Sequence, residues 1–496
     1  MGDLSEEQRE PRSQDSSSPH AELFPQSTLA SEETYLPDAP FTQIEIPAVS
    51  DQTADIPQQL AEELSSEQQA SWLTRCLASP RSPQLLMVLL IGVSFFFRVL
   101  WLDQPPGSLI FDEKYYVSAA RTILGIHQPA DAPYAQSVIG KDPNAEHPPL
   151  AKLIMAGIMR EVGDNAWGWR WGSVIAGTLS IPLIFIIARA VGLSSWAGLL
   201  ASFLYAFDNL VFVTSRIGIL DIYMMLGMLG GIALYLRGKA FASAFLFAFA
   251  ILCKEYGAFG VIIIGAYVIA ITAYDAPGWR IALRRLARVF MTGLLTVVLT
   301  VGLLWPLDLR FSEHQNPIEH LHYIWTYGTH LTHPAGPTGI ESWPWQWLVN
   351  EVQIPYLKVT VTVCNTTLAH NKPCPKDDIV RQYDSILFRG AMNPFLLFLL
   401  PLSFAYAIGQ LNTPYRRNAV LSLTWFAVTF LPFIPITVID HRISYIYYFL
   451  PSIPALTLAT AELFTSPRMP RWVIAGLVGG VLYGFAAYFP FAGFTL

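Results

Sequence analysis

The sequence predicts an all-α polytopic membrane protein with about 11 transmembrane helices and two large outward-facing loops. Of its 496 residues, 53% belong to the set AVILMFWYC and only 14% are charged, against roughly 25% charged in soluble domains. From Gln84 onward, apolar runs recur at the ~20 residues that a helix needs to cross a bilayer. Basic residues concentrate in alternate short loops. This pattern excludes a disordered protein, a disulfide-stabilised miniprotein and an ordinary cytosolic enzyme.

The first 80 residues differ from the rest of the chain. They hold 15 acidic and 3 basic side chains, with much Ser, Gln and Pro and no sustained apolar period. Such a segment cannot bury enough apolar surface to offset the entropy of ordering. We therefore predict a disordered acidic cytoplasmic tail over 1–80, followed by a membrane domain over 81–496. An amphipathic helix over 60–77 is the alternative for the last part of the tail.

Eleven apolar segments are predicted to span the membrane, and 240–253 is the shortest of them. They are 84–102, 171–188, 190–207, 217–236, 240–253, 257–273, 289–306, 391–411, 418–439, 443–461 and 472–490. Two intervening stretches, 103–169 and 307–390, are too long and too polar for simple connections. Loops of this length are usually functional or disordered, and the many aromatic residues here argue against disorder.

The distribution of Lys and Arg predicts the orientation. The short loops on one side hold one base each, at Arg216, Lys254 and Arg442. Those on the other side hold Arg189, Arg237, Lys239, Arg280, Arg284, Arg285, Arg288, Arg416, Arg417, Arg468 and Arg471. Because Lys and Arg favour cytoplasmic loops, we expect a cytoplasmic N-terminus, with both large loops and any active site on the extracytoplasmic face.

Polar residues that could take part in a reaction collect on this outward side. Asp112 and Glu113 follow a Pro-Pro-Gly break at the start of a predicted helix, where the helix dipole favours ionised carboxylates. Plain N-capping is the alternative. His147 and Lys152 flank another predicted helix start that contains two prolines.

Further polar residues lie at the ends of the predicted spans. Arg170 and Arg442 either act in a site or snorkel to lipid headgroups, the commoner fate of a span-end arginine. Asp221 lies within an apolar run, where a carboxylate is costly enough to indicate function or pairing. Arg216 is its nearest basic neighbour in sequence, although a spacing of five places them on different helix faces.

An outward-facing carboxylate pair among several cations suits the transfer of a sugar from a lipid phosphate. The acceptor hydroxyl needs a general base, and the departing phosphate needs fixed positive charge. No zinc signature, nucleophile elbow or glycine-rich phosphate loop is present. His320 with His322, or His330 with His333, is a weak candidate metal pair, so we expect no metal and no other cofactor.

Over most of residues 84–465 the chain resembles the protein O-mannosyltransferases, which use polyprenyl- or dolichyl-phosphate mannose and have the GT-C fold. Six motifs in the order of that family carry the resemblance, and the architecture is similar to the bacterial, especially actinobacterial, branch. They are Phe111-Asp112-Glu113 with Tyr115-Tyr116; His147-Pro148-Pro149-Leu150-Ala151-Lys152; Trp169-Arg170 with Thr214-Ser215-Arg216-Ile217-Gly218-Ile219-Leu220-Asp221; His333-Pro334 with Ser342-Trp343-Pro344; Gly390-Ala391-Met392-Asn393-Pro394; and Arg442-Ile443-Ser444-Tyr445-Ile446-Tyr447-Tyr448-Phe449-Leu450-Pro451.

The resemblance implies mannose transfer to Ser/Thr hydroxyls with inversion of the anomeric centre. Asp112 would be the general base, and Glu113 would orient acceptor or sugar. The residues implied to bind the donor phosphate and sugar are His147, Lys152, Arg170, Arg216, Asp221 and Arg442, and those implied to contact the acceptor or the loops are Tyr116, His333 and Trp343. The implied partners are polyprenyl-phosphate mannose, secreted or membrane polypeptides, the bilayer and the secretion translocon, with no nucleic acid.

Two other functions and one local feature stay open at this point. A GT-C enzyme that moves another lipid-linked sugar to a lipid or cell-wall glycan is the nearest alternative. A membrane transporter is a remote one, because transporters often contain internal repeats and this sequence shows none. Cys364 and Cys374 lie in the second large loop, either as a disulfide or as a free pair.

Overall fold

A computed structural model of the protein describes residues 81–364 and 379–491. The predicted tail over 1–80, the helix considered over 60–77, and Cys374 lie outside these residues. In chain order the elements are α1 Ser82–Val99, α2 Glu113–Leu124, α3 Leu150–Val162, α4 Ala166–Ala190, α5 Ser195–Ala206, α6 Asn209–Thr214, α7 Asp221–Leu236, α8 Ala240–Cys253, a 3-10 turn Glu255–Ala258, α9 Phe259–Asp275, α10 Trp279–Phe311, α11 Pro317–His330, α12 Pro344–Trp347, β1 Ile354–Cys364, β2 Ile379–Gly390, α13 Pro394–Phe398, α14 Leu400–Gln410, α15 Arg416–Phe430, α16 Phe433–Val438, a 3-10 turn Ile446–Ser452, α17 Ile453–Phe464 and α18 Arg471–Ala487.

Each of the eleven predicted apolar segments overlaps a helix or a pair of consecutive helices. Within the described ranges, five helical segments are long and apolar enough to cross a membrane by length and composition; they are Ser82–Val99, Ala166–Ala190, Glu255–Asp275, Trp279–Phe311 and Arg416–Val438. Four further apolar helices are shorter. The protein is therefore a helical multi-pass membrane protein, and the number of about 11 spans stays a prediction, as do the outward loops.

Local sequence signals set the helix ends. The side chain of Asn165 accepts hydrogen bonds from the backbone N–H groups of Trp167 and Gly168 at the start of α4, and Ser194 caps α5 in the same way. Gly125 ends α2 with a φ of 71°, a left-handed conformation that costs glycine little. The side chains of Asn165 and Ser194 thus satisfy N–H groups that have no partner inside the helix.

The core lies among the central helices. Every residue of α17 is buried, whereas α10 buries only five of its 33 residues. By this burial, α17 forms the centre of the bundle and α10 lies at its periphery. Both positions suit an apolar helix, which is stable when it is buried or in lipid.

The first large loop contains two helices, α2 and α3, and the second contains α11 and α12. The second loop also forms an antiparallel hairpin, β1 with β2, which corrects the all-α prediction. The signal is present in the run Lys358-Val359-Thr360-Val361-Thr362-Val363. Val and Thr alternate there, and both are β-branched residues that favour a strand. Cys364 at the tip of β1 is disulfide-bonded. Because Cys374 lies outside the described residues, its pairing with Cys364 stays a prediction.

A buried polar tie joins distant parts of the bundle. Asp208 caps α6 through Oδ1, and its Oδ2 accepts a hydrogen bond of 2.9 Å from the N–H of Asn393. The Asn393 side chain caps α13 and donates to the carbonyl oxygen of Val481 in α18. The Asn-Pro motif at 393–394 therefore has a structural role in the described part of the chain.

Candidate active site

A polar cavity of about 270 Å³ opens where the two predicted outward loops meet the helix ends. Its lining comes from α2, α11, the turn after α8 and the segment before α17. The side chains that carry charge or hydroxyl groups there are Asp112, Tyr115, Tyr116, Glu146, His147, Lys254, Glu255, Tyr256, Tyr327, Arg442, Tyr445, Tyr447 and Tyr448. Four of the predicted site residues thus come together: Asp112, Tyr116, His147 and Arg442.

Asp112 lies at the start of α2, but its side chain makes no capping hydrogen bond. The simple N-capping interpretation is therefore wrong. Phe111 just before it has a φ of 55°, which costs a non-glycine residue energy. Its ring stacks on Tyr356 of β1 with centroids 4.4 Å apart. The hairpin base thus fixes the backbone that aims the Asp112 carboxylate.

Burial raises the pKa of Asp112 to about 6. The nearby Lys254 ammonium and the His147 ring oppose this shift, while Asp221 adds to it. A carboxyl with a pKa near 6 is ionised at neutral pH and is still basic enough to accept a proton in a transition state.

Two ion pairs flank the cavity. Lys254 Nζ lies 2.8 Å and 2.9 Å from the two carboxylate oxygens of Asp221. His147 Nδ1 lies 2.8 Å from Glu255 Oε2. The expected neighbour of Asp221 was Arg216, and the structure provides Lys254 instead, because the turn after α8 meets the start of α7.

Arg442 is the cavity cation without a carboxylate partner among the described residues. Its backbone pairs with Thr332 in an isolated bridge, and the N–H of Ile443 donates to the carbonyl oxygen of Leu331 at 2.9 Å. Its guanidinium donates to the carbonyl oxygen of Ile443 and interacts with the Tyr448 hydroxyl. The second large loop therefore holds a fixed guanidinium at the cavity wall with its full charge available.

An apolar groove of about 780 Å³ continues from the cavity. Arg442, Glu255, Tyr256 and Tyr448 line both spaces. The groove's apolar walls are Ile251, Phe259, Leu321, Ile324, Trp325, Pro432, Phe433 and Ile436. A ligand with a charged head group and a long apolar tail would therefore find a polar surface on one side of Arg442 and an apolar surface on the other.

Glu113 and Arg170 lie outside the cavity lining, in a buried pair. The Glu113 carboxylate accepts hydrogen bonds from Arg170 Nε at 2.8 Å and Nη2 at 2.9 Å. It also accepts from the backbone N–H groups of Ile110 and Gly218, both at 2.7 Å. The rest of the guanidinium donates to the carbonyl oxygens of Leu102, Gln104 and Ser108. Because all five guanidinium N–H groups are used, Arg170 has none left for a donor phosphate.

Gly218 is required for this arrangement. A Cβ at position 218 would lie 2.8 Å from the carbonyl oxygen of Trp169. Glycine lets the 216–219 segment approach α4 closely enough for its N–H to reach Glu113. Glu113 therefore contacts Arg170 and the backbone beside Asp112, and its role in orienting substrate stays a prediction.

The other predicted donor-binding cations are also buried away from the cavity. Lys152 forms an ion pair of 2.7 Å with Asp142 and donates to the carbonyl oxygen of His147. Arg216 donates to the carbonyl oxygens of Phe97 and Leu100 at the end of α1. These side chains thus contact loop and helix-end backbone and lie outside the cavity lining.

The two predicted acceptor contacts in the second loop also lie outside the lining. His333 Nδ1 is 2.8 Å from Glu341 Oε2, and the backbone N–H of His333 donates to the carbonyl oxygen of His441. Trp343 stacks on Trp345 with centroids 5.0 Å apart. Both residues lie in the second loop, and His333 contacts the backbone beside Arg442.

His320 is not part of a metal site in the described ranges, where no group of three or more His, Cys, Asp or Glu side chains converges. Its Nδ1 lies 2.8 Å from Asp308 Oδ1, and its Nε2 lies 3.0 Å from the carbonyl oxygen of Ala145. Since a carbonyl oxygen only accepts, Nε2 carries a hydrogen. His320 therefore ties α10 and α11 to the segment that carries His147. Metal independence of the protein stays a prediction.

In the sequence, Lys254 served only to predict the orientation, and the adjacent Glu255 and Tyr256 were given no role. The signal was available, because adjacent charges between two apolar runs are costly unless paired or functional. The tyrosines at 445, 447 and 448 belonged to a quoted motif and also line the cavity. Only the fold reveals that these two segments meet opposite Asp112.

Comparison with known proteins finds similarity to one family over part of the chain. Residues 88–299 match the family model described as dolichyl-phosphate-mannose-protein mannosyltransferase. The polyprenol-phosphate-mannose–protein mannosyltransferase of Mycolicibacterium smegmatis is 32% identical over 131 residues, which are 26% of this chain and 24% of that protein. The protein of the same name from Corynebacterium glutamicum is 33% identical over 125 residues, 24% of this chain and 23% of that protein. The aligned stretch spans about a quarter of the length of these curated relatives.

Solved structures share the fold over most of the chain. The Saccharomyces cerevisiae protein O-mannosyltransferase Pmt1–Pmt2 complex bound to the sugar donor gives a TM-score of 0.57 at 11% identity, covering 82% of this chain and 90% of that chain. ArnT from Cupriavidus metallidurans bound to undecaprenyl phosphate gives 0.50 at 18% identity, covering 81% of this chain and 62% of that chain. The chain thus shares the helical fold of these two solved structures, and residues 88–299 are similar to the family described as dolichyl-phosphate-mannose-protein mannosyltransferase.

Proposed function

We propose that this protein transfers mannose from polyprenyl-phosphate mannose to Ser/Thr hydroxyls of secreted or membrane polypeptides on the extracytoplasmic face. The observation that carries the proposal is the position of Arg442, which has no carboxylate partner among the described residues. It lies at the junction of a polar cavity and an apolar groove, with Asp112 in the same cavity. The names of the relatives indicate the same donor and acceptor classes.

Charge and polarity support one position for the donor. Its polyprenyl chain occupies the groove between Phe259, Trp325 and Phe433, where apolar burial stabilises it. Its phosphate lies against the Arg442 guanidinium, and the Lys254 ammonium supplies further positive charge. In this proposal Arg442 keeps the phosphate role that the sequence suggested for it, and Lys254 takes the role suggested for Arg170, Lys152 and Arg216.

The reaction is a single displacement. The Asp112 carboxylate takes the proton of the acceptor hydroxyl while the acceptor oxygen bonds to the anomeric carbon. The bond from that carbon to the phosphate oxygen breaks, and its electron pair leaves with polyprenyl phosphate. Arg442 stabilises the charge that develops on this leaving group. Attack opposite the phosphate inverts the anomeric centre.

His147, held by Glu255, adds a second polar wall to the cavity. The tyrosines that surround it offer hydroxyl groups to a sugar and aromatic faces to its C–H groups. These groups suit a neutral hexose such as mannose. The secretion translocon, as a source of unfolded acceptor chains, remains a prediction.

The proposal is tested with purified protein in nanodiscs, given polyprenyl-phosphate mannose and a Ser/Thr-rich peptide. We expect mannosylated peptide whose anomeric configuration is opposite to that of the donor, measured by mass spectrometry and NMR. The matched control is the same peptide with Ala at each Ser and Thr, which should receive no sugar. Transfer of an aminoarabinose donor to a lipid acceptor, with no transfer of mannose to peptide, would contradict the proposal and favour the other GT-C activity.

A further inference from the structure

A second, basic cavity lies at the far end of the helix bundle from the candidate active site. The helical segment Glu255–Asp275 connects the two, since Glu255 lines the catalytic cavity and Asp275 lines the basic one. Its 21 residues correspond to about 30 Å at ~1.5 Å per residue. This is the thickness of the hydrocarbon core of a bilayer, so the basic cavity lies at headgroup depth in the opposite leaflet.

Two adjoining spaces form this basic cavity, with volumes of about 290 Å³ and 510 Å³. Both are lined by Asp275 and Arg417. The first is lined in addition by Arg285, Arg288, Tyr235 and Tyr267, and the second by Arg416. Asp275 is the one acidic side chain in either lining, so four guanidinium groups face a single carboxylate.

Three of the four arginines are held by contacts within the protein. Asp275 pairs with Arg285 and with Arg416, each at 2.9 Å. Arg288 donates to the carbonyl oxygen of Tyr235 and lies 4.8 Å from the centroid of the Tyr235 ring. Arg417 makes no hydrogen bond or ion pair with the described residues. The carboxylate is thus fully engaged, and Arg288 and Arg417 keep uncompensated charge.

The need to orient the protein in the membrane does not by itself explain why these arginines converge. Arg280, Arg284, Arg288 and Arg417 are all exposed, as arginines that only orient a membrane protein are. Arg280 and Arg284 lie outside the lining of both spaces. Arg285, Arg288 and Arg417 instead converge on a concave space with tyrosines in its wall. Basic pockets between transmembrane helices are the sites that bind anionic lipid headgroups.

We propose that this cavity binds the phosphate group of an anionic phospholipid from the leaflet opposite the catalytic cavity. Arg288 and Arg417 bind the phosphate oxygens, Tyr267 flanks the headgroup, and the acyl chains run along the exposed apolar surface of α10. Neither the mannosyl donor nor the acceptor is involved, so the inference does not depend on the proposed function.

The test measures lipid binding to the full-length protein by native mass spectrometry, with thermal unfolding as a second readout. Phosphatidylglycerol should bind at least about tenfold more tightly than phosphatidylcholine. The Arg288→Gln/Arg417→Gln variant should lose about tenfold in phosphatidylglycerol affinity. The Arg280→Gln/Arg284→Gln variant removes the same charge from the same region outside the cavity and should change affinity less than about twofold. The single Arg417→Gln variant, which removes an exposed side chain, serves if the double variant is unstable.

Three outcomes would overturn the proposal. Equal losses of phosphatidylglycerol affinity in the two double variants would indicate that diffuse surface charge, and not the cavity, binds the lipid. Equal binding of phosphatidylcholine would exclude recognition of the anionic headgroup. Stabilisation by inorganic phosphate alone that equals the effect of phosphatidylglycerol would assign the site to a soluble phosphate and not to a lipid.

Discussion

Asp112 and Glu113 are adjacent carboxylates with opposite surroundings. Asp112 faces the cavity without a capping bond, while Glu113 is fully buried against Arg170. The sequence predicts that both matter, but it cannot assign the roles, because burial and pairing depend on segments more than 50 positions away. The same limit explains why Lys152, Arg170 and Arg216 were expected at the phosphate.

Activity should depend on the ionisation of Asp112. Its pKa is raised to about 6, chiefly by burial, and a general base acts only when it is deprotonated. We therefore expect kcat/KM for peptide mannosylation to rise tenfold per pH unit below about 6 and to level off above it. A profile that is flat from pH 5 to pH 8, with chemistry shown to be rate-limiting, would contradict this assignment.

Arg442→Gln should weaken use of the lipid donor. Removing the cavity's unpaired cation should raise the donor KM by about tenfold or more, because a charge-assisted hydrogen bond contributes roughly 1.5–3 kcal/mol. The acceptor KM should stay nearly constant. The control is Arg381→Gln on the exposed part of the hairpin, which should match the wild type. A larger effect on acceptor than on donor would assign Arg442 to the acceptor instead.

At the scale of elements, the Glu113–Arg170 pair joins the start of α2 to α4. Glu113→Gln should lower the free energy of unfolding by about 3–5 kcal/mol, because it leaves a buried guanidinium without its counter-charge. Thermal or denaturant unfolding in detergent measures this loss. Glu161→Gln, the same change at an exposed position of α3, should be nearly neutral. Equal stability of the two variants would show that the pair does not hold the loop.

The hairpin supports the catalytic segment through Tyr356. Tyr356→Ala removes the ring on which Phe111 stacks, and a small misplacement of a catalytic group costs up to about 10²-fold in rate. We expect kcat to fall about tenfold or more with the donor KM unchanged. Tyr356→Phe keeps the ring and should restore the rate. A raised KM with a normal kcat, or failure of the Phe variant to restore activity, would contradict a positioning role.

For the whole molecule, apolar periodicity predicted the helices well, because segment length and composition follow directly from the bilayer. It could not give the number of spans, since several helices, such as Asp221–Leu236 and Ala240–Cys253, are short. The hairpin was missed because a period of two over 358–363 lies within a loop assumed to be irregular. The meeting of residues 112, 147, 254 and 442 required the fold, although each residue was visible as an unusual charge.

The central claim is that the carboxylate at position 112 removes the proton from the acceptor hydroxyl. The most direct measurement compares single-turnover mannose transfer by wild type, Asp112→Asn and Asp131→Asn, with donor binding measured in parallel. Asp131 is an exposed aspartate in the same loop. We predict that Asp112→Asn loses on the order of 10³-fold in rate while binding donor normally, and that Asp131→Asn matches the wild type. A rate for Asp112→Asn within a few-fold of the wild type would contradict the account.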